Sequence, residues 1–374
     1  MSDQALRTTA LHEVHERLGA TFTDFAGWQM PVRYSSDLAE HRAVRESAGV
    51  FDLSHMGEIA VSGPEAGAAL DHALAGKLSA MSIGRAKYSL LLTEEGGVVD
   101  DVIVYRLGEE DFLAVANAGN AEVDLEEITR RAEGFDATVE DRSADTVLVA
   151  VQGPESARIV TQVVTGSDTD ITAEQIEELK YYRVLEGRFE GSQLLVARTG
   201  YTGEDGFELY VPAEHGAALW DVVVATGGED LTPCGLACRD TLRLEAGMPL
   251  YGHELSRDLA PAQSGMGRVV ALKSKGDFVG RAGVENADTT GLPVLVGLAA
   301  EGRRAARAGS VVKDTSGAVI GEITSGALSP TLGHPIAMAF LCPRVTEVGT
   351  DVVIDVRGKD LPARIVDLPF YSRS

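Results

Sequence analysis

The chain has 374 residues, of which 44% are hydrophobic, and its 57 acidic and 33 basic residues give a formal net charge of -24. The length predicts two or three domains, and the apolar fraction is that of a folded globular protein. An acidic chain without a basic stripe argues strongly against nucleic acid as a partner. Because the sequence has no run of 18 apolar residues and no apolar signal-peptide core, we expect a cytoplasmic protein without a membrane segment.

Arginine strongly outnumbers lysine among the basic residues. Seven of the 33 basic residues are lysine and 26 are arginine. An acidic, lysine-poor surface fits a halophilic adaptation to a salt-rich cytoplasm, where salt screens self-repulsion over a few ångströms. Three cysteines argue against a disulfide framework.

One phrase occurs twice along the chain. Val61–Glu65 and Val151–Glu155 each contain Gly-Pro-Glu at the end of an apolar strand, and the proline suits the start of a helix. An antiparallel strand pair and a second helix follow each time, over residues 88–134 and 182–226. This repeated order predicts two similar α+β sheets that face each other.

Two adjacent aspartates, Asp100 and Asp101, interrupt an apolar strand in the first repeat, although aspartate is depleted from strands. Pairing the flanking strands outward from a four-residue loop, Glu94–Gly97, places Tyr88 and Tyr105 on the face of Asp101. A carboxylate among apolar groups and two phenols suits proton transfer. The pattern fits equally well two aspartates that are solvated just after a turn.

The second repeat contains glycines at every third position, Gly200, Gly203 and Gly206. A strand rather than a helix follows them, so we interpret the segment as a turn between strands and not as a phosphate loop. Alternation then places Phe207 toward the core and Glu208 on the opposite face. Such a glutamate is more often solvated than functional, unless its face lines a cavity.

Cysteines and arginines follow at one-turn spacing. Cys234 and Cys238 have no histidine nearby to complete a zinc site, so we expect buried small side chains and no metal. Arg239 and Arg243 could bind a carboxylate of a ligand or pair with acidic neighbours.

Short alternating strands begin near Gly291 and predict a small antiparallel barrel. The expected fold class is therefore α+β, with two ferredoxin-like antiparallel sheet units and a C-terminal β-barrel. We place the body at residues 1–288, with its two units at about 50–135 and 140–255, and the barrel at 289–374.

Several sequence blocks, taken together, resemble the glycine cleavage system T-protein family, the aminomethyltransferases. The resemblance covers nearly the full length, with the blocks in the family's order. The blocks are Phe25–Pro31, Phe51–Glu58, Gly96–Tyr105, Arg198–Glu208, Gly235–Asp240, Gly321–Gly326 and Ser329–Thr331.

The resemblance implies a three-lobed fold around a central cavity that binds tetrahydrofolate as co-substrate. It implies that the donor is the aminomethyl group on the lipoyl arm of H-protein, in a pathway that also contains the P- and L-proteins. The implied products are ammonia, 5,10-methylenetetrahydrofolate and the reduced lipoyl arm.

The same resemblance assigns site residues. It makes Asp101 the catalytic carboxylate, which agrees with the face count, and Glu208 and Arg239 polar anchors of folate. A carboxylate can receive the amide and amino edge of a pterin ring through two hydrogen bonds. The positions that match folate-binding residues are Met56, Tyr88, Tyr105, Asn117, Tyr201, Glu208, Arg239 and Tyr371.

One segment departs from the family. Ala260–Met266 carries Gln263 where the family usually has glutamate. A neutral amide replaces a charged carboxylate there, which leaves open a different substrate that donates or accepts the transferred group.

Two other functions remain open from the sequence. A folate-dependent demethylase would use another methyl donor, although the chain has no flavin-binding Gly-x-Gly-x-x-Gly unit for an oxidation of its own. A folate-binding protein that aids iron–sulfur assembly would carry a Lys-Gly-Cys-Tyr motif, which is absent here, and would not need a carboxylate at Asp101.

The charge pattern predicts salt-dependent folding, because crowded like charges destabilise the compact state at low ionic strength. The melting temperature should rise from dilute buffer to molar potassium chloride. Thermal melts at both salt concentrations measure this, and a melting temperature that does not rise would contradict the halophilic interpretation.

Overall fold

A computed structural model describes residues 5–373, and it contains α-helices, antiparallel sheets and a closed barrel. The chain forms two compact units. The first comprises the chain up to Ser89, Asp101–Gly200 and Glu204–Arg239. The second comprises Leu90–Asp100, Tyr201–Gly203 and the chain from Asp240 onward.

The helices are α1 (His12–Arg17), α2 (Asp37–Glu46), α3 (Ala66–Ala73), α4 (Ala121–Ala132), α5 (Ser156–Gly166), α6 (Ala173–Glu178), α7 (Gly216–Gly227), α8 (Leu236–Glu245) and α9 (Arg281–Asn286). The strands up to the second repeat are β1 (Thr21–Phe25), β2 (Trp28–Arg33), β3 (Ala48–Asp52), β4 (Gly57–Ser62), β5 (Arg85–Leu92), β6 (Val98–Arg106), β7 (Asp111–Ala116) and β8 (Thr138–Asp141). The remaining strands are β9 (Thr146–Gln152), β10 (Val184–Phe189), β11 (Ser192–Ala197), β12 (Gly206–Pro212), β13 (Leu231–Pro233), β14 (Val294–Ala300), β15 (Val311–Lys313), β16 (Val319–Leu328), β17 (Pro335–Leu341), β18 (Asp351–Asp355) and β19 (Asp360–Val366).

The predicted repeat appears as two sheets of the same strand order. One has the order β5-β6-β7-β4-β8, and the other has β10-β11-β12-β9-β3-β13, with β3 inserted between β9, which starts the second repeat, and β13. Each repeat has three strands after its first helix, one more than predicted, because β7 and β12 return beside the strand that starts the repeat. The predicted α+β class is confirmed.

The repeated Gly-Pro-Glu phrase marks a backbone position that only glycine fits well. Gly63 and Gly153 have φ of +121° and +131°. A Cβ on Gly153 would lie 2.4 Å from the carbonyl oxygen of Ser47, and one on Gly63 would lie 2.7 Å from that of Asp136. The phrase therefore ends each strand where another segment of backbone passes close by.

The six-stranded sheet packs one face against α5 and α7. Val149 of β9 and Phe207 and Leu209 of β12 are fully buried there, together with Ile159 and Trp220 from the two helices. Phe207 thus faces the core as the alternation predicted, and this leaves Glu208 on the other face.

The hairpin before the aspartate pair is tighter than expected. The Thr93 N–H donates to the Gly97 carbonyl at 2.8 Å, so the loop is Glu94–Gly96 and not Glu94–Gly97. Gly96 adopts φ +90°, which suits glycine at the last position of a three-residue hairpin loop.

The C-terminal strands close into a barrel of order β14-β17-β16-β15-β18-β19. Its interior is filled by alternating apolar residues, among them Leu298, Ile323, Leu341 and Ile354. The closed ladder leaves no free sheet edge. The predicted small antiparallel barrel is confirmed.

In the loop that departs from the family, the side chain of Gln263 makes its hydrogen bonds within the second unit. The Gln263 side chain is buried, accepts from the Ala260 N–H at 3.1 Å and donates to the Pro293 carbonyl at 3.0 Å. An amide can do both, whereas a carboxylate can only accept.

None of the helices in the described part of the chain combines the length and apolar character needed to cross a bilayer.

Replacing Gly153 tests the role of the repeated phrase. Gly153→Ala should lower the free energy of unfolding by about 2–4 kcal/mol, because it combines a left-handed φ with a backbone clash. Gly166→Ala is the matched control, since a Cβ there meets nothing within 4 Å at the end of α5. Urea unfolding of both variants measures the difference. Equal stabilities would contradict the assignment.

Candidate active site

The two sheets of the repeats face each other within the first unit. The hydroxyl of Tyr105, from β6, donates to Oε2 of Glu208, from β12, at 3.1 Å. The Tyr105 hydroxyl also lies 3.1 Å from that of Tyr210 on β12. These polar groups meet between the sheets, so the inter-sheet face is where a polar ligand would find partners.

Asp101 lies on this face in β6 and is half-buried. The Tyr88 hydroxyl donates to its Oδ2 at 3.1 Å, and the Asn117 side-chain amide donates to its Oδ1 at 3.0 Å and to its main-chain oxygen at 3.1 Å. These donors act on both oxygens and fix the plane of the carboxylate. Three of the residues singled out by the sequence therefore meet at one carboxylate.

Asp100 follows the alternation of the same strand to the opposite side. Its side chain is fully buried, whereas that of Asp101 keeps part of its surface accessible. The adjacent aspartates therefore occupy different environments, and only Asp101 lies on the inter-sheet face.

Glu208 is held by hydroxyl groups. Its Oε2 accepts from Thr199 at 2.5 Å, from Tyr105 at 3.1 Å and from Tyr210 at 3.4 Å. Because these three donors share one oxygen, the other oxygen, Oε1, can accept from a ligand. Glu208 is 7% exposed, so it is neither the solvated surface glutamate of the simpler interpretation nor sealed from a ligand.

The phenols of this cluster remain proton donors. Burial raises the pKa of Tyr105 well above its ordinary value, and the charge of Glu208 raises it further. Burial likewise raises the pKa of Tyr210, with Tyr105 and Glu208 as further causes. Both hydroxyls are therefore protonated at neutral pH and can donate to the carboxylate.

The glycine-rich turn packs around one glutamine. Gln152 is fully buried and donates to the Thr199 carbonyl at 3.1 Å. A Cβ on Gly200 or Gly206 would lie 2.0 or 2.2 Å from its side-chain amide. Two of the three glycines thus leave space for the side chain of Gln152. Its hydrogen bond to the Thr199 carbonyl holds Thr199 beside Glu208.

Arg239 lies in the first turn of α8 and is half-buried. The pKa of nearby His55 is lowered to about 4, chiefly by burial; the charge of Asp52 opposes this lowering and that of Arg239 adds to it. His55 is therefore uncharged at neutral pH. Asp52 is held by Thr9 at 2.6 Å and His15 at 2.9 Å, so it is a structural carboxylate.

The remaining candidates lie apart from this cluster along the chain. Met56 is half-buried just before β4 in the first unit. Tyr201 and Tyr371 belong to the second unit, where the Tyr201 hydroxyl donates to the Pro249 carbonyl and the Tyr371 N–H donates to the Glu245 carbonyl at 2.8 Å.

The two cysteines lie near a third potential ligand. Ligand atoms of Glu40, Cys234 and Cys238 all lie within 4.8 Å of one another, and the three residues are buried. The Glu40 carboxylate accepts the backbone N–H groups of Tyr34, Ser35 and Gly235 at 2.8–2.9 Å. Those bonds give Glu40 a structural role in joining α2 to the start of α8.

Sequence reasoning missed the residues that position Glu208. Thr199 and Tyr210 carry no motif, although Tyr210 could be found because it shares the strand face of Glu208 at i+2. Thr199 lies nine residues away, and only the folded turn brings it to the carboxylate. Glu58, fully buried on β4, was also missed.

A buried carboxylate and a half-buried one, each held by hydroxyl or amide donors between two sheets, form a candidate enzyme site for a small polar substrate. A family model for the GCVT N-terminal domain matches residues 11–274, and one for the glycine cleavage T-protein C-terminal barrel domain matches residues 294–372. The chain belongs to the glycine cleavage T-protein family of aminomethyltransferases.

Relatives match over the whole chain. An aminomethyltransferase from Cutibacterium acnes is 64% identical and covers 99% of both chains, and one from Streptomyces coelicolor is 53% identical over 100% of both. The crystal structure of glycine cleavage system aminomethyltransferase T from Bartonella henselae aligns with a TM-score of 0.90 at 37% identity, over 98% of each chain.

Two shape-conserving variants test the support of Glu208. Thr199→Val removes the 2.5 Å donor and should lower the free energy of unfolding by about 1–3 kcal/mol, because the buried carboxylate loses its shortest bond. Tyr210→Phe removes the 3.4 Å donor and should lower the free energy of unfolding by a smaller amount. Chemical unfolding of both variants measures the two losses, and a larger loss of stability in Tyr210→Phe than in Thr199→Val would contradict this prediction.

Proposed function

We propose that this aminomethyltransferase moves the methylene of the aminomethyl group on the lipoyl arm of H-protein to tetrahydrofolate. The reaction consumes the aminomethyl-lipoyl thioether and tetrahydrofolate. It yields 5,10-methylenetetrahydrofolate, ammonia and the dihydrolipoyl arm. The observation that carries the proposal is Asp101, held by Tyr88 and Asn117 on one sheet face, opposite the sheet face that presents Glu208.

Asp101 supplies the proton chemistry in this proposal. Tyr88 and Asn117 each donate to one of its oxygens and orient the carboxylate, which accepts the proton of a nucleophilic amine in this proposal. Holding the carboxylate before substrate arrives removes the cost of ordering it during the reaction. The developing positive charge beside the carboxylate is stabilised by the same group.

Glu208 and Arg239 provide recognition. Glu208 presents Oε1, while Oε2 remains tied to Thr199, Tyr105 and Tyr210. A carboxylate accepts two adjacent N–H donors, which are the groups on the amide and amino edge of a pterin. Arg239 offers forked donors to an acceptor of the same ligand. In this proposal Met56, Tyr201 and Tyr371 complete the folate site.

The wider setting is also a proposal. Lipoylated H-protein is the donor-carrying partner, and the P- and L-proteins act in the same pathway in a cytoplasm rich in salt. No metal takes part in this reaction scheme. The body at residues 1–288 would bind folate, with the barrel at 289–374 appended to it.

Asp101→Asn separates this function from simple folate binding. The change keeps the shape and removes the base, so turnover should fall by roughly 10²–10⁴-fold while tetrahydrofolate affinity changes little. The assay measures methylenetetrahydrofolate formed from aminomethyl-loaded H-protein at saturating folate. Sarcosine and dimethylglycine serve as alternative donors, and turnover with these in place of H-protein would support a demethylase instead.

The neighbouring aspartate supplies the control. Asp100→Asn should retain a larger part of the rate, because Asp100 lies on the opposite side of the strand, and a thermal melt reports any loss of stability. A crippled Asp100→Asn enzyme beside a normal Asp101→Asn enzyme would overturn the assignment of the base.

A further inference from the structure

Glu58 is a fully buried carboxyl group that the proposed reaction does not use. It is the second residue of β4, directly after Gly57. A Cβ on Gly57 would lie 2.6 Å from the Cβ of Ala121 in α4, so that side of β4 faces the helix. Successive side chains alternate, and Glu58 therefore points to the inter-sheet side.

The strand register places Glu58 on the same face as the candidate base. Glu58 is paired with Val115 on β7, and Val115 is paired with Ile103 on β6. Ile103 lies two residues from both Asp101 and Tyr105. Directly paired residues share a face, so Glu58 is a carboxyl group on the wall that carries Asp101.

The surroundings of Glu58 make it an uncharged acid. Among residues 5–373, neither carboxyl oxygen has a hydrogen-bond partner. Burial raises its pKa well above the ordinary value, and the acidic neighbours Asp141 and Asp52 raise it further. Because a fully buried carboxylate without a donor is strongly disfavoured, the group is uncharged and has one O–H donor and one carbonyl acceptor.

A buried carboxyl group without a hydrogen-bond partner destabilises the fold unless a ligand group binds to it. Buried polar atoms in folded proteins nearly always have a partner, so an orphan on a ligand-facing wall points to a ligand group. Tyr105, on the same wall as Glu58, donates to Oε2 of Glu208 at 3.1 Å. The two carboxyl groups therefore lie on facing walls of the inter-sheet region.

We propose that Glu58 is a further substrate-binding residue, whose uncharged carboxyl group donates a hydrogen bond to the ring carbonyl of the heterocyclic substrate. The ring carbonyl is an acceptor and matches the O–H of an uncharged acid. Glu208, which can only accept, suits the edge with two donors. This inference rests on the proposed function, because it takes the reduced pterin as the ring.

Two variants of Glu58 test the inference on the full-length chain with tetrahydrofolate as the probe. Glu58→Leu removes both hydrogen-bonding groups and should weaken tetrahydrofolate binding about 10- to 100-fold. Its melting temperature should stay the same or rise, since an unbonded buried polar group is replaced by an apolar one. Anaerobic titration calorimetry gives the affinity, and thermal melts give the stability.

Glu58→Gln distinguishes an uncharged acid from a carboxylate. The amide retains one donor side and one acceptor side, so it should recover most of the affinity that Glu58→Leu loses, to within about fivefold of the natural chain. Ile59→Val is the matched control, because Ile59 follows Glu58 on the same strand and points to the other side. It should lower stability and leave the affinity within twofold.

The outcomes separate this inference from the function on which it rests. If Glu58→Leu binds tetrahydrofolate as tightly as the natural chain, Glu58 has no binding role. If Glu58→Gln binds as weakly as Glu58→Leu, Glu58 does not act as an uncharged hydrogen-bond donor. If the natural chain itself fails to bind tetrahydrofolate, the proposed function fails and this inference fails with it.

Discussion

The contact between the Tyr105 hydroxyl and the Glu208 carboxylate is the constraint on which the site depends. A buried carboxylate is stable only with hydrogen-bond donors, and here Tyr105 comes from one sheet, Tyr210 from the other and Thr199 from the turn before β12. The inter-sheet face therefore stays polar in the middle of an otherwise apolar body. Any change in how the sheets approach each other would alter the position of Glu208.

The first sheet has two dissimilar faces. One packs on helices, as the close approach of Gly57 to Ala121 shows, and the other carries Tyr105, Asp101 and Glu58. Rigid strands hold these groups, so the side chains need little further ordering before a ligand binds. The alternation of a single strand thus separates a structural aspartate, Asp100, from an accessible one, Asp101.

Glycine supports this arrangement at a few defined positions. Gly153 ends β9 against a passing backbone, while Gly200 and Gly206 admit the side chain of Gln152. Through its bond to the Thr199 carbonyl, Gln152 sets the position of the shortest donor to Glu208. The glycine spacing that resembles a phosphate loop is therefore a packing requirement of the strand turn.

Local periodicity determined much of the architecture. The repeated Gly-Pro-Glu phrase, the alternation of Phe207 with Glu208 and the short C-terminal strands predicted two related sheets and a barrel, because side-chain period and turn chemistry are local properties. The shared face of Asp101 and Tyr105, which lie four residues apart on one strand, followed from the same counting. The extra strand of each repeat and the exact hairpin loop did not, since loop length changes register by single residues.

Tertiary structure alone decided which distant groups meet. Thr199 reaches Glu208, β3 inserts beside β9, and Glu58, on a wall shared with Asp101, has no hydrogen-bond partner for its carboxyl group among residues 5–373. Sequence patterns report which face a residue takes on its own strand, but the distance between two faces depends on packing of the whole body. The sequence by itself therefore determined the strands, their faces and the family, and folding in three dimensions decided the hydrogen bonds, because those depend on contacts between segments far apart in the chain.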